Sequence, residues 1–323
     1  MRLAVTPALL GLALLAAPTF GQTSFDYTVS PIGNFRIASS ETRFGPLTFA
    51  GGFEIASRDP DFGQISGFRF VEPGGRFLAV GDIGTWFTGT IERDGEGRPV
   101  GVRDGRLQPM ANMEDKHRVD AEGLAVAGGD VFVSFERDHR VDRFALAEGA
   151  MGNALETLDF LIPRNELRYN AGLETVVATD PAGPHAGALI VVAERSIDTD
   201  GNIFAAILGG PEKGVFKVER TDEFDVTDGA MLPGGDLLLL ERRFNYATGV
   251  AMRLRRVAGG DLRAGALVSG EVLYQAGMTH RIDNMEAMDV WRRADGALVV
   301  SLVSDDNQSF LQRTLYLEFV LAE

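Results

Sequence analysis

The chain has 323 residues, of which 45% are hydrophobic and 24% are charged, as expected for a globular protein with a buried core. Its formal net charge of −15 argues against nucleic acid as a partner, because phosphate backbones are bound by stripes of Lys and Arg. No cysteine is present, which excludes disulfides, a lipid-anchored cysteine and thiolate metal sites.

The first 21 residues have the pattern of a secretory signal peptide. Arg2 precedes an apolar run that is too short to span a membrane, and the small residues Thr19 and Gly21 mark a cleavage site. No later segment has the length and apolar character of a membrane helix. We therefore expect an exported protein, periplasmic or secreted, that is not inserted in a membrane after signal removal.

The main feature of the mature sequence is a repeat. Each unit begins with a short apolar strand, turns at a glycine-containing loop and continues into a second, almost wholly apolar strand that ends at an acid. The five units are ISGFRFVEPGGRFLAVGDIG (65–84), AEGLAVAGGDVFVSFERD (121–138), LETVVATDPAGPHAGALIVVAERS (173–196), TDGAMLPGGDLLLLERR (227–243) and MEAMDVWRRADGALVVSLVSDD (285–306). Their leading polar residues are Ser66, Glu122, Glu174, Asp228 and Glu286, and their trailing acids are Asp82, Glu136, Glu194, Glu241 and Asp305.

A repeat of 52 to 58 residues with three or four short strands predicts an all-β protein that forms a single β-propeller. The first two strands of each unit are apolar on both faces, as strands packed between neighbouring blades require. We expect the propeller to span residues 45–323, after a signal peptide at 1–21 and an N-terminal lead-in at 22–44. Residues 46–57 would pair with the last unit and close a ring of five blades. Six blades are the alternative, if residues 27–57 form a unit of their own.

Equivalent positions of successive blades form rings, so the repeated acids predict a central channel lined by acidic residues. Carboxylates at close range raise one another's pKa and need a counter-charge. One interpretation pairs them with Arg137, Arg195 and Arg242, which follow three of the trailing acids, as purely structural acid–arginine rings. The other is a hard cation, with calcium the first choice because it takes six to eight oxygen ligands. The predicted metal ligands are Glu122, Glu174, Asp228, Glu286, Asp305 and Asn284.

Other catalytic patterns are absent from the sequence. The four histidines, His117, His139, His185 and His280, show neither HxH nor HExxH spacing. No G-x-S-x-G elbow and no phosphate-binding glycine loop occur in the required context. The acidic channel is therefore the only site that the sequence predicts.

The segments GQISGFRF, DAEGLAV, GLETVV, RIDNMEAMDV and SDDNQSFLQRTLYLEF resemble the exported bacterial phytase-like family described as "esterase-like activity of phytase". The resemblance covers roughly residues 45–321 and is most specific at DNMEAM and SDDNQ. It implies a propeller, and the family description implies hydrolysis of phosphoesters or esters. No catalytic motif of the family can be carried over to individual residues here, and GQISG at 63–67 departs from the frequent GGLSG.

Two functions follow as expectations. The first is a calcium-dependent hydrolase that acts on a small anionic or ester substrate at the channel mouth, with Glu122 and Glu286 as ligands or general base and Arg137, Arg195 and Arg242 orienting the anion. The second is a non-catalytic propeller that binds a ligand or protein partner. The sequence does not indicate the oligomeric state.

Overall fold

The structure, a computed structural model, describes residues 21–111 and 119–323. The expected signal peptide, apart from its last residue, and His117 lie outside the described residues. The described chain is nearly all β and forms five sheets, which are the blades of a β-propeller. Two short 3-10 turns, Arg164–Glu166 and Gly259–Asp261, are the helical elements of this part of the chain, and none of its helices is long and apolar enough to cross a membrane.

The blades are described from the channel outward, with strands numbered in chain order. Blade I consists of β5 (Ile65–Phe70), β6 (Arg76–Gly81), β7 (Thr85–Arg93), β8 (Pro99–Pro109) and β1 (Thr23–Ser24). Blade II consists of β9 (Ala121–Ala127), β10 (Asp130–Phe135), β11 (Arg140–Ala145) and β12 (Glu156–Leu158). Blade III consists of β13 (Leu173–Ala178), β14 (Leu189–Ile197), β15 (Ile203–Ile207), β16 (Gly214–Val218) and β20 (Leu267–Val268). Blade IV consists of β17 (Asp225–Met231), β18 (Leu237–Asn245), β19 (Gly249–Val257) and β21 (Glu271–Ala276). Blade V consists of β22 (Asn284–Arg292), β23 (Leu298–Asp305), β24 (Thr314–Leu321), β4 (Leu47–Ser57) and β2 (Tyr27–Ile32), and β3 (Arg43–Phe44) pairs with β4.

The ring closes through blade V, as the sequence predicts. Strand β4 runs antiparallel to β24, with Leu47 opposite Leu321 and Ile55 opposite Thr314. Residues 27–57 therefore belong to the fifth sheet and form no sixth blade. The expected lead-in also enters the blades, because β1 pairs with β8 and β2 pairs with β4.

The hydrophobic core lies mainly between adjacent blades. One cluster packs Leu240 of blade IV with Leu302 of blade V, and another packs Val80 of blade I with Leu124 of blade II. Strand β23 is buried along its whole length, which explains why its sequence reads as uninterrupted core. The five innermost strands contact one another around the axis and position the residues of the channel.

Candidate functional site

Each innermost strand carries a β-bulge near its start. In blade I, Ile65 lies opposite Gly81 and Gly67 lies opposite Val80, so Ser66 is the extra residue. Bulges re-aim side chains and often occur beside active sites. The extra residues of the other blades are Glu174, Thr227 and Glu286, and in blade II the pair Glu122–Gly123 faces the single residue Ser134. The bulges therefore bring Glu122, Glu174 and Glu286 to one level of the channel.

Blade IV is shifted by one residue from the predicted alignment. Its bulge residue is Thr227, because Val226 lies opposite Glu241 and Asp228 lies opposite Leu240. Asp228, a predicted metal ligand, consequently lies outside the ring of bulge residues. Glu241 also leaves the predicted ring of trailing acids and is fully buried between Arg253 and Arg255.

A residue of the second strand, or the residue directly after it, completes the site in each blade. Those residues are Asp82, Glu136, Glu194, Arg242 and Asp305. Four blades thus contribute a carboxylate at this position and blade IV contributes a guanidinium. In blades V and II the residue just before the bulged segment is also at the mouth: Asn284 lies opposite Asp305, and the Glu136 amide donates to the Asp120 carbonyl at 2.8 Å.

Arg242 neutralises one half of this mouth. Its Nη2 atom lies 3.1 Å from Glu194 Oε1 and 3.3 Å from Glu286 Oε1, and its Nη1 donates to Asn284 Oδ1 at 2.6 Å. The Asn284 amide in turn donates to Glu286 Oε1 at 2.7 Å and to Asp305 Oδ2 at 3.2 Å. Burial disfavours the charged guanidinium, yet Glu286 and Glu194 raise the pKa of Arg242 above its ordinary value.

The other half is an acidic cluster, which we define as Asp120, Glu122 and Glu136. All three are buried, and one carboxylate oxygen from each lies within 4.8 Å of those of the other two. Arg137 Nε contacts Asp120 Oδ2 at 2.8 Å, and the Gly172 amide donates to Glu136 Oε1. This half of the mouth therefore brings three buried carboxylates close together.

Burial and mutual repulsion raise the pKa of these acids. Burial, followed by the Asp120 and Glu286 charges, raises the pKa of Asp82 to about 7. Burial is also the main cause that raises the pKa of Glu136 to about 8 and that of Asp305 to about 8. The pKa values of Glu122 and Glu174 lie well above the usual range, because both are buried and lie near other carboxylates. The mouth therefore holds protons at neutral pH unless a cation replaces them.

The three predicted arginines all reach this face, but each contacts a carboxylate. Arg137 contacts Asp120, Arg242 contacts Glu194 and Glu286, and Arg195 lies 3.5 Å from Asp225 Oδ2. Arg195 is the most exposed of them, with 47% of its side chain accessible.

A second ion pair lies deeper in the channel. The Arg69 guanidinium of blade I reaches Asp228 of blade IV and donates as well to the carbonyls of Val176, Gly229 and Met288. Both side chains are almost completely buried. Asp228 is thus a structural residue of the channel interior.

Sequence reasoning missed Asp120, although it lies two residues before Glu122 and strand periodicity places alternate residues on one side. It also missed Arg69, for which a single Arg inside the apolar segment ISGFRF was the available signal. His139 lies near the acidic cluster, since a Cβ on Gly172 would fall 2.6 Å from His139 Nδ1 and 3.4 Å from Glu136 Oε1.

The sequence model of the family "Phytase-like: Esterase-like activity of phytase" matches residues 60–308. The chain belongs to the phytase-like family. No curated protein matches this phytase-like chain.

Solved structures with a similar overall arrangement have low sequence identity to this phytase-like protein. A glucose dehydrogenase is 11% identical over 80% of this chain and 96% of its own, with a TM-score of 0.43. The PQQ-bound aldose sugar dehydrogenase from Streptomyces coelicolor is 13% identical over 92% of this chain and 99% of its own, with a TM-score of 0.42. The glutaminyl cyclase from Myxococcus xanthus is 10% identical over 81% of this chain and 92% of its own, with a TM-score of 0.38.

Proposed function

We propose that this phytase-like protein is a calcium-dependent hydrolase of phosphoesters or related esters, and that the reaction takes place at the acidic channel mouth. The observation that carries the proposal is the acidic cluster, in which one oxygen from each of three buried carboxylates lies within 4.8 Å of those of the other two. Family membership supports ester hydrolysis as the reaction class.

The donor set fits a hard cation. Ca²⁺ binds carboxylate oxygens at about 2.3–2.6 Å, so two ligands of one ion lie at most about 5 Å apart. The carboxylate oxygens of Asp120, Glu122 and Glu136 lie within 4.8 Å of one another, which meets this limit. These three residues would hold the ion. When bound, calcium would offset negative charge on the substrate and lower the pKa of a coordinated water.

Asp82 is the best general base for a water at this mouth. In the metal-free protein, burial and the Asp120 charge raise the pKa of Asp82 to about 7. A cation held by Asp120 would lower this pKa, so the Asp82 carboxylate would be ionised and able to accept a proton at neutral pH. Gln64 Nε2 donates to Asp82 Oδ2 at 2.9 Å and fixes the orientation of the carboxylate. Glu286 is less suited to this role, because Arg242 and Asn284 both hold its Oε1 atom. We therefore assign Glu286, Glu194 and Arg242 to positioning.

A small anionic or ester substrate would meet Arg195 at the rim, where the guanidinium is partly exposed. Because the protein carries a net charge of −15, an anion would approach only if the cation and the rim arginines reversed the local field. We also propose that the protein acts after export, in the periplasm or outside the cell, in keeping with its N-terminal sequence.

A specific observation favours the second candidate function, a ligand-binding propeller without catalysis. Arg137, Arg195 and Arg242 each contact a carboxylate, as expected if acid–arginine pairs only join neighbouring blades. In that case the protein would bind no calcium and hydrolyse no ester.

Metal analysis and an activity screen on the purified protein distinguish the calcium-dependent hydrolase from the non-catalytic propeller. Bound metal is measured, melting is followed with calcium and with EGTA, and hydrolysis of p-nitrophenyl phosphate, phytate and p-nitrophenyl acetate is assayed. Glu122→Gln removes one carboxylate of the acidic cluster, and Glu271→Gln, at an exposed site on β21, is the matched control. We expect calcium-dependent turnover that Glu122→Gln abolishes and Glu271→Gln preserves. Absence of bound metal, together with no turnover and no change in melting under EGTA, would overturn the proposal.

A further inference from the structure

Exposed apolar side chains are concentrated on the face of the propeller that carries the acidic mouth. In the part of the chain that the structure describes, ten large apolar side chains are exposed, and six of them lie at the mouth end, on loops or near the end of β18. These six are Tyr169, Phe244, Tyr246, Met278, Phe310 and Leu311. Single apolar residues scattered over a surface are normal, whereas a group of them on one face indicates an interaction surface.

The strand order places all six side chains at the mouth. The loop 159–172 leads into β13 and the loop 277–283 leads into β22, and both of these innermost strands begin at the mouth. The turns 246–248 and 306–313 follow β18 and β23, the second strands of their blades, which end at the mouth. The apolar side chains therefore surround the same opening as the acidic cluster.

The loops of blades IV and V that carry five of these side chains are in contact. A Cβ on Gly249 would lie 2.6 Å from Met278 Sδ, so the turn after β18 touches the loop before β22. Arg313 Nε lies 3.3 Å from Asp283 Oδ2, which joins the loop before β22 to the turn after β23. Blades IV and V thus present their apolar side chains in one region of the face.

Each apolar group on this face has an arginine close to it in the sequence. The pairs are Arg168 with Tyr169, Arg243 with Phe244, Arg281 with Met278 and Arg313 with Leu311. We call the four segments that contain these pairs the rim tips, and they are residues 168–169, 243–246, 278–281 and 310–313. Each rim tip therefore combines an exposed apolar side chain with a guanidinium at most three residues away.

The rim tips carry positive charge on an acidic protein. No aspartate or glutamate occurs within the four segments, although the chain as a whole has a net charge of −15. Arg243 Nη1 donates to the Asp222 carbonyl at 3.1 Å, and Arg281 Nε donates to Asn34 Oδ1 at 3.1 Å. Both acceptors are neutral groups, so these contacts hold the guanidiniums without offsetting their charge.

A lipid surface matches this combination of groups. At a membrane interface, apolar side chains enter the boundary between headgroups and acyl chains, while neighbouring arginines stay at the headgroups. Tyr246 is 99% exposed and Phe310 is 95% exposed, so both side chains stand clear of the protein, as insertion requires. The charge of the rim tips is complementary to anionic lipid.

We propose that the rim tips dock the mouth face on a membrane surface that contains anionic lipid. The net charge of −15 opposes this association, so it needs both the inserted apolar side chains and the arginines beside them. The residues that bind lipid lie outside the acidic cluster, and docking therefore does not rest on the function proposed for the mouth. In the docked protein the acidic mouth faces the headgroups.

The test measures cosedimentation of the protein with lipid vesicles. It uses residues 22–323, which include every strand of the five blades, because the apolar run before them could itself enter a vesicle. Vesicles of equal parts phosphatidylcholine and phosphatidylglycerol are compared with vesicles of phosphatidylcholine alone. EGTA is present throughout, so that calcium cannot bridge the acidic mouth to the headgroups. We expect at least tenfold tighter binding to the mixed vesicles.

Two double variants remove the two parts of the rim tips separately. Tyr246→Ser/Phe310→Ser and Arg243→Gln/Arg281→Gln should each weaken binding to the mixed vesicles at least tenfold, with melting temperatures close to that of the wild type. Leu155→Ser/Val272→Ser is the matched control, because both of its positions are exposed and lie at the opposite end of the blades. This control should bind like the wild type.

A fluorescent label shows which side chains enter the lipid. The chain has no cysteine, so Tyr246→Cys and Leu155→Cys can each be labelled at one position with a nitrobenzoxadiazole dye. On addition of mixed vesicles, the emission of the dye at position 246 should rise at least twofold, and the emission of the dye at position 155 should not change.

Three results would overturn the proposal. The first is absence of binding to the mixed vesicles, and the second is an equal loss of binding in Leu155→Ser/Val272→Ser and Tyr246→Ser/Phe310→Ser. The third is a dimer in analytical ultracentrifugation that Tyr246→Ser/Phe310→Ser dissociates, while vesicle binding stays the same, because the rim tips would then bind a second copy of the chain.

Discussion

Arg69 and Asp228 form a bidentate ion pair across the channel, with Nη1–Oδ2 at 2.7 Å and Nη2–Oδ1 at 2.8 Å. The two residues come from blades I and IV, which are not adjacent in the ring. Asp228 also accepts from the Met288 amide of blade V at 2.8 Å. The pair thus joins blades across the axis, whereas the hydrophobic clusters join neighbours.

We expect Arg69→Met to destabilise the protein by about 3–5 kcal/mol, because it leaves the Asp228 carboxylate buried without its counter-charge. Urea unfolding at pH 7 measures this change. Arg98→Met removes an exposed ion pair with Asp94 and should leave the free energy of unfolding nearly unchanged. The double variant Arg69→Met/Asp228→Asn should recover part of the loss, and a double variant no more stable than Arg69→Met alone would contradict this explanation.

The sequence contains enough information to predict the propeller, because blade-to-blade packing demands two apolar strands in every unit. The closing strand is predictable for the same reason: residues 46–57 are apolar and β24 otherwise lacks an outer partner. The pairing of β4 with β24 can therefore be predicted from the pattern of apolar strands alone.

The position of Asp228 was not predictable in this way. The segment TDGAML aligns equally well with Thr227 or Asp228 at the leading position, and only the bulge between Val226 and Asp228 decides between them. A one-residue change of register turns a strand side chain to the opposite face. The same shift puts Arg242 in the position that the alignment gave to Glu241, so the pairing of acids with Arg242 was predicted as one interpretation but its place in the ring was not.

The stability of the metal-free protein should fall as the pH rises from about 4 to about 8. The pKa of Asp82 is raised from 3.8 to about 7, and that of Asp305 from 3.8 to about 8, so the folded state binds more protons than the unfolded state in this window. The loss should be on the order of a few kcal/mol in total.

Urea unfolding in EGTA at pH 5, 6.5 and 8 measures this slope. Asp82→Asn should reduce it, because an amide does not titrate, and calcium should also reduce it if the cation replaces bound protons. Asp295→Asn is the control, since its carboxyl is exposed and has a lowered pKa of about 2. A flat profile in EGTA would show that these carboxyls do not hold protons in the folded state.

Removal of the Arg242 charge should have a strongly pH-dependent effect. In Arg242→Gln, Glu194 and Glu286 lose their counter-charge. The resulting loss of stability should be greatest at pH 8, where both carboxyls would otherwise be ionised. At pH 5 they can bind protons, so the cost should be much smaller. Breaking a fully buried ion pair costs about 3–5 kcal/mol of stability. Because the Arg242 side chain is 28% exposed, we expect a smaller loss of stability at pH 8.

Thermal unfolding of Arg242→Gln at the two pH values checks this expectation. Arg256→Gln is a suitable control, because the Arg256 side chain is 45% exposed and its ion pair with Asp236 lies away from the acidic mouth. An equal loss at pH 5 and pH 8 would mean that Arg242 acts through packing rather than through charge.

Gly172 should tolerate no side chain, because it lies against the residues that support the acidic cluster. A Cβ at this position would fall 2.5 Å from His139 Cε1 and 2.6 Å from His139 Nδ1, closer than real Cβ contacts allow. The Gly172 amide also donates to Glu136 Oε1, so any shift of the backbone moves a carboxylate of the cluster. We expect Gly172→Ala to cost about 1–3 kcal/mol and to weaken calcium binding.

Gly152→Ala is the matched control, because a Cβ at Gly152 would meet nothing within 4 Å. Urea unfolding and calorimetric titration with calcium measure the two effects on both variants. If Gly172→Ala lost stability but bound calcium like the wild type, Glu136 would not be a ligand and the ion would have to rest on Asp120 and Glu122. If Gly172→Ala lost neither stability nor calcium affinity, His139 would have room to move. The close packing of Gly172 would then have no role in positioning the acidic cluster.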